Sequence, residues 1–389
     1  MRVLYLDWPC YGTEDTINAL NEMGHEVIRF SHSDYNHMES PAFLQAFDKF
    51  VGDTAYDFCF SYNYFPLLSN ACNAHNIKYV SVTYDSPYVF LYSPTILNPV
   101  NYVFVFDSKE CDTLRAGGLS NIYYIPLPVH ACSNPELLRS GKKAQQFSSE
   151  ISFVGSLYNE THNLFERLNG ISDYTRGYLM GIMNAQLQIQ GYNFLEEVLT
   201  DEILEDINKV IPYDRIRNGA EPPEYLYANY FLARKLTSME RTQLLSLAAQ
   251  LAPLDLYTWN KDAMIPQAKN RGSVDYKKEM PYVFANSKIN LNITLRSIKT
   301  GVPLRALDIM ASGGFLLSSF QSDFLEYLIP DEDFVYFESK EDFVNKIHFY
   351  LTHEEIRKEI AMNGYEKVKE FYNHFRFFER IFEVVFPFN

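Results

Sequence analysis

Short apolar runs alternate with helix-like segments along the first 130 residues. The runs are rich in β-branched and aromatic residues, as strands are, and they read RVLYLDW, EVIRFS, YDFCFSY, KYVSVTYD, YVFVFD and IYYIPL. The segments between them, such as DTINALNEMG and PAFLQAFDKFV, repeat apolar residues at helical spacing. Strands that alternate with helices predict a parallel sheet covered by helices.

The same alternation resumes after a polar stretch without periodicity at 131–150, which we interpret as an interdomain linker. The strand-like runs beyond it read ISFVGS, LDLYTWN, KINLNIT, GFLLSS and FVYF. The chain is therefore expected to be an α/β protein with two doubly wound, Rossmann-like parallel-sheet domains, at 1–130 and 151–370. Because ligands of open parallel sheets bind beyond the carboxyl ends of the strands, both domains are expected to face a cleft.

Two further segments extend this plan. Residues from about 162 to 250 are mostly helical in pattern and too long for a connection between a strand and its helix, so they predict a helical insertion. Its role is either a surface elaboration or a dedicated acceptor or dimer surface. Residues 371–389 predict a C-terminal helix, and its return to the N-terminal domain is one of the arrangements left open.

Composition narrows the partners of such a protein. The 389 residues carry a formal net charge of −15, which disfavours a broad nucleic-acid surface but leaves room for a local basic pocket. The N-terminus lacks the pattern of a secretory or transit peptide, and no apolar run approaches the ~20 residues that span a bilayer. The five cysteines are scattered without a CxxC pair, so we expect reduced, buried thiols in a cytoplasmic protein.

The stretch GVPLRALDIMASGGFLLSS, at 301–319, carries the strongest chemical signal. Its apolar spacing predicts a helix packed on the sheet, and Gly313 and Gly314 predict the helix stop, because glycine tolerates a left-handed closing residue. This helix follows the strand KINLNIT and a loop, so its N-terminus points beyond the carboxyl ends of the strands. Backbone N–H groups and the helix dipole make that end an anion site.

Four cations lie close to this helix start in an otherwise acidic chain: Lys288, Arg296, Lys299 and Arg305. Such a cluster predicts a diphosphate ligand. Asp308 lies one turn beyond Arg305, and its acceptor-only carboxylate suits the two hydroxyls of a ribose. The alternative is a solvated Arg–Asp pair on an amphipathic helix.

Two weaker signals accompany this one. Gly155 and Ser156 end the first strand of the second domain, where a small-residue turn lets the backbone approach a ligand closely. Trp259 and Tyr276 offer rings for a nucleobase, although core packing explains most aromatic residues in a chain this rich in them.

The residues just described resemble a known family. The blocks SKINLNITLRSIKTGVPLRALDIMASGGFLLSSFQSDFLEYL and FVYFESKEDFVNKIHFYLTHEEIRKEIAMNGYEKV resemble the C-terminal donor domain of CgeB-like, group 1-related glycosyltransferases. YDFCFSYNYFP, YVSVTYDSPYVFLY and NYVFVFDSKECDTLRAGGLSNIYYIPL resemble the domain of unknown function that usually precedes it. The resemblance implies the GT-B architecture, with a nucleotide-sugar bound by the C-terminal domain and the acceptor by the N-terminal one.

The sequence departs from the family at one position. Retaining group 1 enzymes usually show two glutamates eight positions apart, and the second corresponds to Asp308. The first falls on Thr300, which cannot act as a carboxylate. The resemblance therefore carries over the ribose contact but not the retaining stereochemistry.

Other enzyme classes fit the sequence less well. A metal-dependent transferase needs a carboxylate pair, and Asp331-Glu332-Asp333 supplies one, but in a turn that enters a late strand. A hydrolase of the GxSxG type or with a catalytic Cys–His pair, and a dehydrogenase with GxGxxG after the first strand, lack their motifs. A non-catalytic nucleotide- or sugar-binding protein of envelope or spore assembly remains the alternative from another class.

The expected activity is that of a metal-independent hexosyltransferase of the bacterial cell-surface glycan type. It would move a sugar from a nucleotide diphosphate, with UDP as the expected nucleotide, to a hydroxyl of a glycan or protein. An acceptor hydroxyl is a poor nucleophile, so an inverting transfer needs a base at the carboxyl end of an N-terminal strand. Asp7, Asp85 and Asp107 all end strands, and we select Asp85, in the sequence YDSP, with a turn-capping role as its alternative.

Overall fold

The computed structural model describes residues 1–159, 164–213, 219–260 and 264–387. By its internal contacts the chain divides into two compact units. The first consists of Met1–Pro128, Asp214–Pro222 and Asn373–Asn389, and the second of Val129–Tyr213 and Pro223–Tyr372. The predicted start of the helical insertion, at about 162, lies outside the described residues.

Each unit is built on a parallel sheet of six strands. In chain order the strands are β1 (Arg2–Leu6), β2 (Glu26–Phe30), β3 (Phe58–Tyr62), β4 (Tyr79–Thr83), β5 (Asn101–Val105), β6 (Ile122–Tyr124), β7 (Ser149–Val154), β8 (Leu254–Tyr257), β9 (Lys269–Asn270), β10 (Ser287–Asn292), β11 (Leu316–Ser319) and β12 (Val335–Phe337).

Helices connect these strands. They are α1 (Thr13–Glu22), α2 (Pro41–Val51), α3 (Pro66–Ala74), α4 (Ser108–Ala116), α5 (Pro135–Leu138), α6 (Gly141–Gln146), α7 (Asp173–Gln186), α8 (Asp201–Val210), α9 (Pro223–Leu226), α10 (Ala233–Leu251), α11 (Met280–Asn286), α12 (Leu304–Ala311), α13 (Lys340–Thr352), α14 (Glu354–Phe371) and α15 (His374–Val385). A π-helical stretch, Tyr227–Leu232, joins α9 to α10, and short 3-10 turns lie at Val89–Tyr92, Pro94–Leu97, Leu164–Leu168 and Ser322–Glu326. None of the helices within these described ranges is long and apolar enough to cross a membrane.

The first sheet has the strand order β2-β1-β3-β4-β5-β6. Its central strands β3 and β4 are buried at every residue, as the near-continuous apolar runs FCFSY and YVSVT predict for a parallel sheet covered on both faces. The edge strand β2 is exposed or half-buried except at Phe30. The C-terminal helix α15 belongs to this unit, where Phe378 packs on Phe60 with ring centroids 5.6 Å apart.

The second sheet has the order β12-β11-β10-β7-β8-β9. Numbered from its own first strand and read from the β9 edge, this is the 3-2-1-4-5-6 order of dinucleotide-binding Rossmann folds. The order reverses between β7 and β10, which pair in parallel, with Ile151 opposite Ile289. In such sheets the ligand binds outside the carboxyl ends of the two strands at this switch point. A ligand site is therefore expected at the loops that follow β7 and β10.

The helical insertion has a hydrophobic core of its own. Leu179, Met183, Ile203 and Leu236 are fully or almost fully buried in it. Helix α10 continues beyond this core, and its later residues, including Leu244, belong to the core of the second sheet. One helix therefore connects the insertion to the sheet.

The segment 131–150, interpreted from composition as a linker, contains α5, α6 and the first residues of β7, and its contacts lie in the second unit. Arg139 donates from Nη2 to the carbonyl oxygen of Gly313 at 2.8 Å, and the N–H of Cys132 donates to the carbonyl oxygen of Ala311 at 3.0 Å. These side-chain and backbone bonds to α12 are not visible in a polar, aperiodic sequence.

Helix α12 ends as its sequence predicts. Gly313 has a φ of 71°, its N–H donates to the carbonyl oxygen of Met310, and the N–H of Gly314 donates to that of Ile309. This pair of bonds is the Schellman motif, which needs the left-handed conformation that glycine adopts without steric cost. The chain then turns directly into β11.

Candidate active site

The loop after β7 lies at the switch point of the second sheet. The N–H of Gly155 donates to the carbonyl oxygen of Tyr257 at the end of β8, at 3.0 Å. The hydroxyl of Ser156 accepts a bond from the N–H of Tyr158 at 2.9 Å, and Tyr158 has a positive φ of 52°. The two small residues predicted from FVGS therefore form a tight turn at the expected edge of the sheet.

Helix α12 starts at the same edge and carries a buried carboxylate. Asp308 is only 8% exposed, and Tyr276 donates its hydroxyl proton to Oδ1 at 2.8 Å. Nη1 of Arg305 lies 3.2 Å from Oδ2 and also contacts the sulfur of Met280. Burial raises the pKa of Asp308 to about 6, against the opposite effects of the Arg305 charge and the Tyr276 hydrogen bond. A solvated surface pair does not describe this arrangement, because the carboxylate is desolvated and held on both oxygens.

The other three predicted cations have carboxylate partners. Arg296 is buried and forms a two-bond ion pair with Glu240, with Nη2 to Oε1 at 2.6 Å and Nε to Oε2 at 2.8 Å. Lys299 is paired with Glu196 at 2.8 Å. Lys288 lies near the amino end of β10, where it pairs with Glu150, and so it is far along the strand from the switch point. Arg305 is the one member of this predicted group that contacts Asp308.

An arginine that is not one of the four predicted cations lies at the switch point. Arg241, on α10, is 8% exposed and donates to the carbonyl oxygen of Ser156 from Nη1 at 2.5 Å. Its Nε and Nη2 donate to the carbonyl oxygen of Ile293, at 2.9 and 2.5 Å. The rings of Phe153 and Tyr158 lie 5.2 and 4.8 Å from its guanidinium carbon. One guanidinium thus bridges the loops that follow β7 and β10.

The charge of Arg241 has no carboxylate within ion-pair distance in the part of the chain that the structure describes. Burial lowers the pKa of Arg241; Tyr158 and the charge of Glu240 oppose this effect, and the nearby cation Arg305 adds a smaller lowering. Two cations that repel each other at one sheet edge suit an anionic ligand. A signal for Arg241 was present in the sequence: it shares the apolar face of α10 with Leu244, Leu245 and Ala248, where a charged residue needs a reason.

The other residues of the second unit that the sequence singled out have exposed or structural positions. Trp259 follows β8 and is 63% exposed. Asp333, in the triplet considered for a metal, is 4% exposed and accepts the N–H of Ile329 on Oδ2 at 2.8 Å, while Asp331 has a φ of 62°. These contacts give the triplet a turn-forming role. Thr300, at the position of the family's first glutamate, donates to Oδ2 of Asp323 at 3.2 Å.

The three strand-end aspartates of the first unit differ in their partners. Asp7 is paired with Arg29 at 2.8 Å, and Asp107 is 1% exposed and caps α4 by accepting the N–H of Glu110 at 3.0 Å. Asp85 is exposed, and its Oδ2 accepts a bond from Nδ2 of Asn63 at 2.7 Å. Asn63 has a left-handed φ of 56° and also accepts the N–H of Tyr84. Asp85 is therefore the member of the trio whose carboxylate is both oriented and accessible.

Part of the chain is similar in sequence to known proteins. Residues 231–383 match the family model described as Glycosyl transferase-like. An uncharacterized protein of Aquifex aeolicus is 24% identical over 323 residues, which cover 76% of this chain and 72% of that protein.

Solved structures with the same fold cover the whole chain. A sucrose-phosphate synthase of Thermosynechococcus elongatus has a TM-score of 0.57 at 11% identity, covering 100% of both chains. A glycosyltransferase of Rickettsia africae has a TM-score of 0.53 at 10% identity, covering 100% of this chain and 99% of that one. HepE of Anabaena, solved with UDP and glucose, has a TM-score of 0.51 at 11% identity and covers 99% of both chains.

At this level of identity the structural likeness shows the fold. The predicted fold class, two Rossmann-like domains of the GT-B type, is confirmed. The family match in the C-terminal part and the GT-B fold together indicate a glycosyltransferase.

The buried carboxylate of Asp308 predicts a measurable pH dependence of stability. Its pKa is raised from 3.8 to about 6, so the folded state holds the proton more tightly than the unfolded state. The contribution of Asp308 to the free energy of unfolding is therefore fully present below pH ~4 and is lost as the pH rises through about 6. The total loss is about 3 kcal/mol. Urea unfolding from pH 5 to 7.5 should show wild type losing about 1 kcal/mol relative to Asp308→Asn. Glu341→Gln, at an exposed position, is the control for the loss of a carboxylate. A stability difference between wild type and Asp308→Asn that stays constant over this pH range would contradict the prediction.

Proposed function

We propose that the protein transfers a sugar from a nucleotide diphosphate, with UDP as the nucleotide, to an acceptor hydroxyl. The observation that carries the proposal is the buried Asp308 carboxylate, bonded to Tyr276 and Arg305 at the carboxyl edge of a Rossmann-order sheet. The UDP and glucose in the HepE structure support the choice of nucleotide.

The donor site has a distinct task for each group. The Asp308 carboxylate accepts hydrogen bonds from the ribose hydroxyls, and Tyr276 and Arg305 hold its two oxygens in place before the ligand arrives. The diphosphate is attracted by Arg305 and Arg241 and by the N–H groups at the start of α12. As the sugar leaves, negative charge grows on the phosphate oxygens, and fixed cations and N–H dipoles stabilise it without reorganising.

Ribose recognition by Asp308 is tested with UDP and its 2′-deoxy analogue. Wild type should bind UDP more tightly by about tenfold, since a hydrogen bond to a charged group contributes roughly 1.5 kcal/mol or more. Asp308→Ala should lose affinity for UDP and lose most of this discrimination, as measured by titration calorimetry. Glu341→Gln, on the exposed side of α13, is the control that should retain both. Equal losses for the two nucleotides would contradict the ribose contact.

Metal independence is part of the proposal. Its support is the pair of cations Arg241 and Arg305 at the switch point, which replace a divalent ion as the source of positive charge. The turn-forming contacts of Asp333 also leave the acidic triplet with a structural task.

Transfer, or hydrolysis of the donor, should accordingly survive excess EDTA at wild-type rate. A readout by UDP release covers an unidentified acceptor, because slow donor hydrolysis produces UDP as well. Loss of activity in EDTA, with recovery on added Mn²⁺ and a further loss in the variant Asp331→Asn/Asp333→Asn, would assign the protein to the metal-dependent class instead.

The acceptor base is proposed to be Asp85. It would take the proton of the acceptor hydroxyl while the oxygen bonds to the anomeric carbon and the bond from that carbon to the phosphate oxygen breaks. Asn63 supports the role because its amide donates to Oδ2 at 2.7 Å and fixes the carboxylate without neutralising its charge.

Replacing the carboxylate of Asp85 by an amide distinguishes its two possible roles, a catalytic base and a turn-capping residue. Asp85→Asn should lower turnover by roughly a hundredfold or more, with the melting temperature and UDP affinity nearly unchanged. Asp107→Asn is the matched control, a strand-end aspartate that caps α4 and should affect stability more than turnover. Near-wild-type turnover in Asp85→Asn would end the assignment, and lost folding would favour the capping role.

The subfamily, the acceptor and the site of action are further parts of the proposal. We propose membership of the CgeB-like group, a cell-surface glycan or protein as acceptor and a cytoplasmic site of action, on the motif blocks that resemble that group. The rival class, a non-catalytic nucleotide-binding protein, would bind UDP through Asp308 but release none from any donor. UDP release from a panel of UDP-sugars is therefore the measurement that separates the two.

A further inference from the structure

We infer that helix α10 of the helical insertion positions the proposed donor site, by fixing both loops at the switch point. The inference rests on the proposed function and assigns positioning roles to Glu240 and Arg296. Three residues of α10 carry it: Thr237, Glu240 and Arg241. The last two lie three and four positions after Thr237, so both are its neighbours on the helix surface.

Arg241 provides the first connection. The two carbonyl groups that it binds belong to Ile293, directly after β10, and to Ser156, two residues after β7. These are the two strands between which the sheet order reverses. The separation of the two loops is therefore set by the reach of one buried, planar guanidinium.

Glu240 and Thr237 provide the second connection, to the loop between β10 and α12. The carboxylate of Glu240 binds Arg296 through two hydrogen bonds, and the two side chains are 3% and 9% exposed. The backbone N–H of Arg296 donates to Oγ1 of Thr237 at 2.9 Å. Both the side chain and the main chain of one loop residue are thus held by one turn of α10.

A second segment of the insertion completes the contacts to Arg296. Nη1 of Arg296 donates to the carbonyl oxygen of Ile189 at 3.0 Å, and Nδ2 of Asn193 donates to the carbonyl oxygen of Arg296 at 2.5 Å. Gln190 donates to Oε1 of Glu240 at 2.8 Å. The ion pair is therefore enclosed by hydrogen bonds from the insertion, which satisfies its remaining polar groups.

The loop is held again three residues later, where Lys299 pairs with Glu196 of the insertion at 2.8 Å. It then enters α12, which carries Arg305 and Asp308. The position of this helix start relative to the β7 loop determines where a ribose and a diphosphate can bind. A displacement of about 1 Å at such a site can reduce turnover by about a hundredfold.

Stability alone does not account for the buried pair. Replacing a buried ion pair by apolar residues of similar volume is often neutral or stabilising, whereas removing one partner is strongly destabilising. What apolar residues cannot reproduce is the directed pair of bonds that fixes Arg296 in one position. This difference makes the two roles experimentally separable.

The test compares a single variant, a double variant and a control pair. Glu240→Leu leaves the Arg296 charge buried and uncompensated, so it should lower the melting temperature. Glu240→Leu/Arg296→Met should recover the melting temperature but not the activity, with kcat reduced by roughly ten- to a hundredfold and the donor KM raised. The control is Lys235→Gln/Glu166→Gln, which removes an ion pair elsewhere in the insertion and should leave kcat and KM unchanged. Wild-type kinetics in a folded apolar double variant would overturn the inference.

Hydrogen exchange separates failure of this inference from failure of the proposed function. The backbone N–H at position 296, which belongs to an arginine in wild type and to a methionine in the apolar double variant, should be less protected in the variant, while the N–H groups of β7 keep their protection. This readout needs no donor, so it stands even if no nucleotide binds to the wild type. Unchanged protection of the backbone N–H at position 296 in the double variant would contradict the positioning role, whatever the activity of the protein.

Discussion

The arrangement of the candidate site depends on one buried guanidinium. A charge removed from water is costly unless hydrogen bonds satisfy it, and Arg241 meets this condition with two backbone carbonyl groups. Those carbonyl groups lie beyond the ends of β7 and β10, where the sheet ladder no longer supplies donors. The same bonds therefore satisfy the arginine, satisfy the loops and fix the distance between them. Carbonyl groups neutralise no charge, so the site keeps its attraction for an anion.

The rest of the local electrostatics follows from this arrangement. The chain is acidic overall, and Glu240 and Glu196 neutralise two of the cations that lie near the helix start in sequence. At the switch point Arg241 is bonded to backbone carbonyl groups, and Arg305 lies 3.2 Å from the carboxylate of Asp308. Next to them, Asp308 is buried enough to raise its pKa to about 6, yet Arg305 and Tyr276 oppose that rise. A carboxylate in this balance is largely ionised at neutral pH and thus available as a hydrogen-bond acceptor.

The sequence predicted the fold well, because a parallel sheet covered by helices leaves a strong local signature. Buried strands such as FCFSY are apolar throughout, and the glycines after α12 mark its end in any context. The contact between Arg305 and Asp308 was also predictable, since residues three apart on a helix are neighbours. Contacts between residues distant in sequence were not. Arg296 is paired with a glutamate 56 positions away, and nothing in its own segment distinguishes it from a free cation.

Two other predictions from the sequence, for Lys288 and for segment 131–150, also differ from the structure because contacts distant in sequence decide them. Lys288 is near Arg305 in sequence, but a strand is extended, so six residues of β10 separate its two ends and carry Lys288 away from the switch point. The polar segment 131–150 looks like a linker because its stabilising partners, such as the carbonyl oxygen of Gly313, lie in a distant part of the chain.

The long-range contacts of the helical insertion indicate a role that its sequence alone does not predict. Its own hydrophobic core is sufficient to make it a compact element, which is all that the helical periodicity predicts. Polar contacts, however, are concentrated where Thr237, Glu240 and Arg241 meet the two loops. Apolar burial is non-directional, whereas paired hydrogen bonds to a guanidinium fix both distance and orientation. An insertion that only enlarged the surface would have no need of directed bonds at the switch point, and this concentration of polar contacts is the physical basis for assigning it a positioning role.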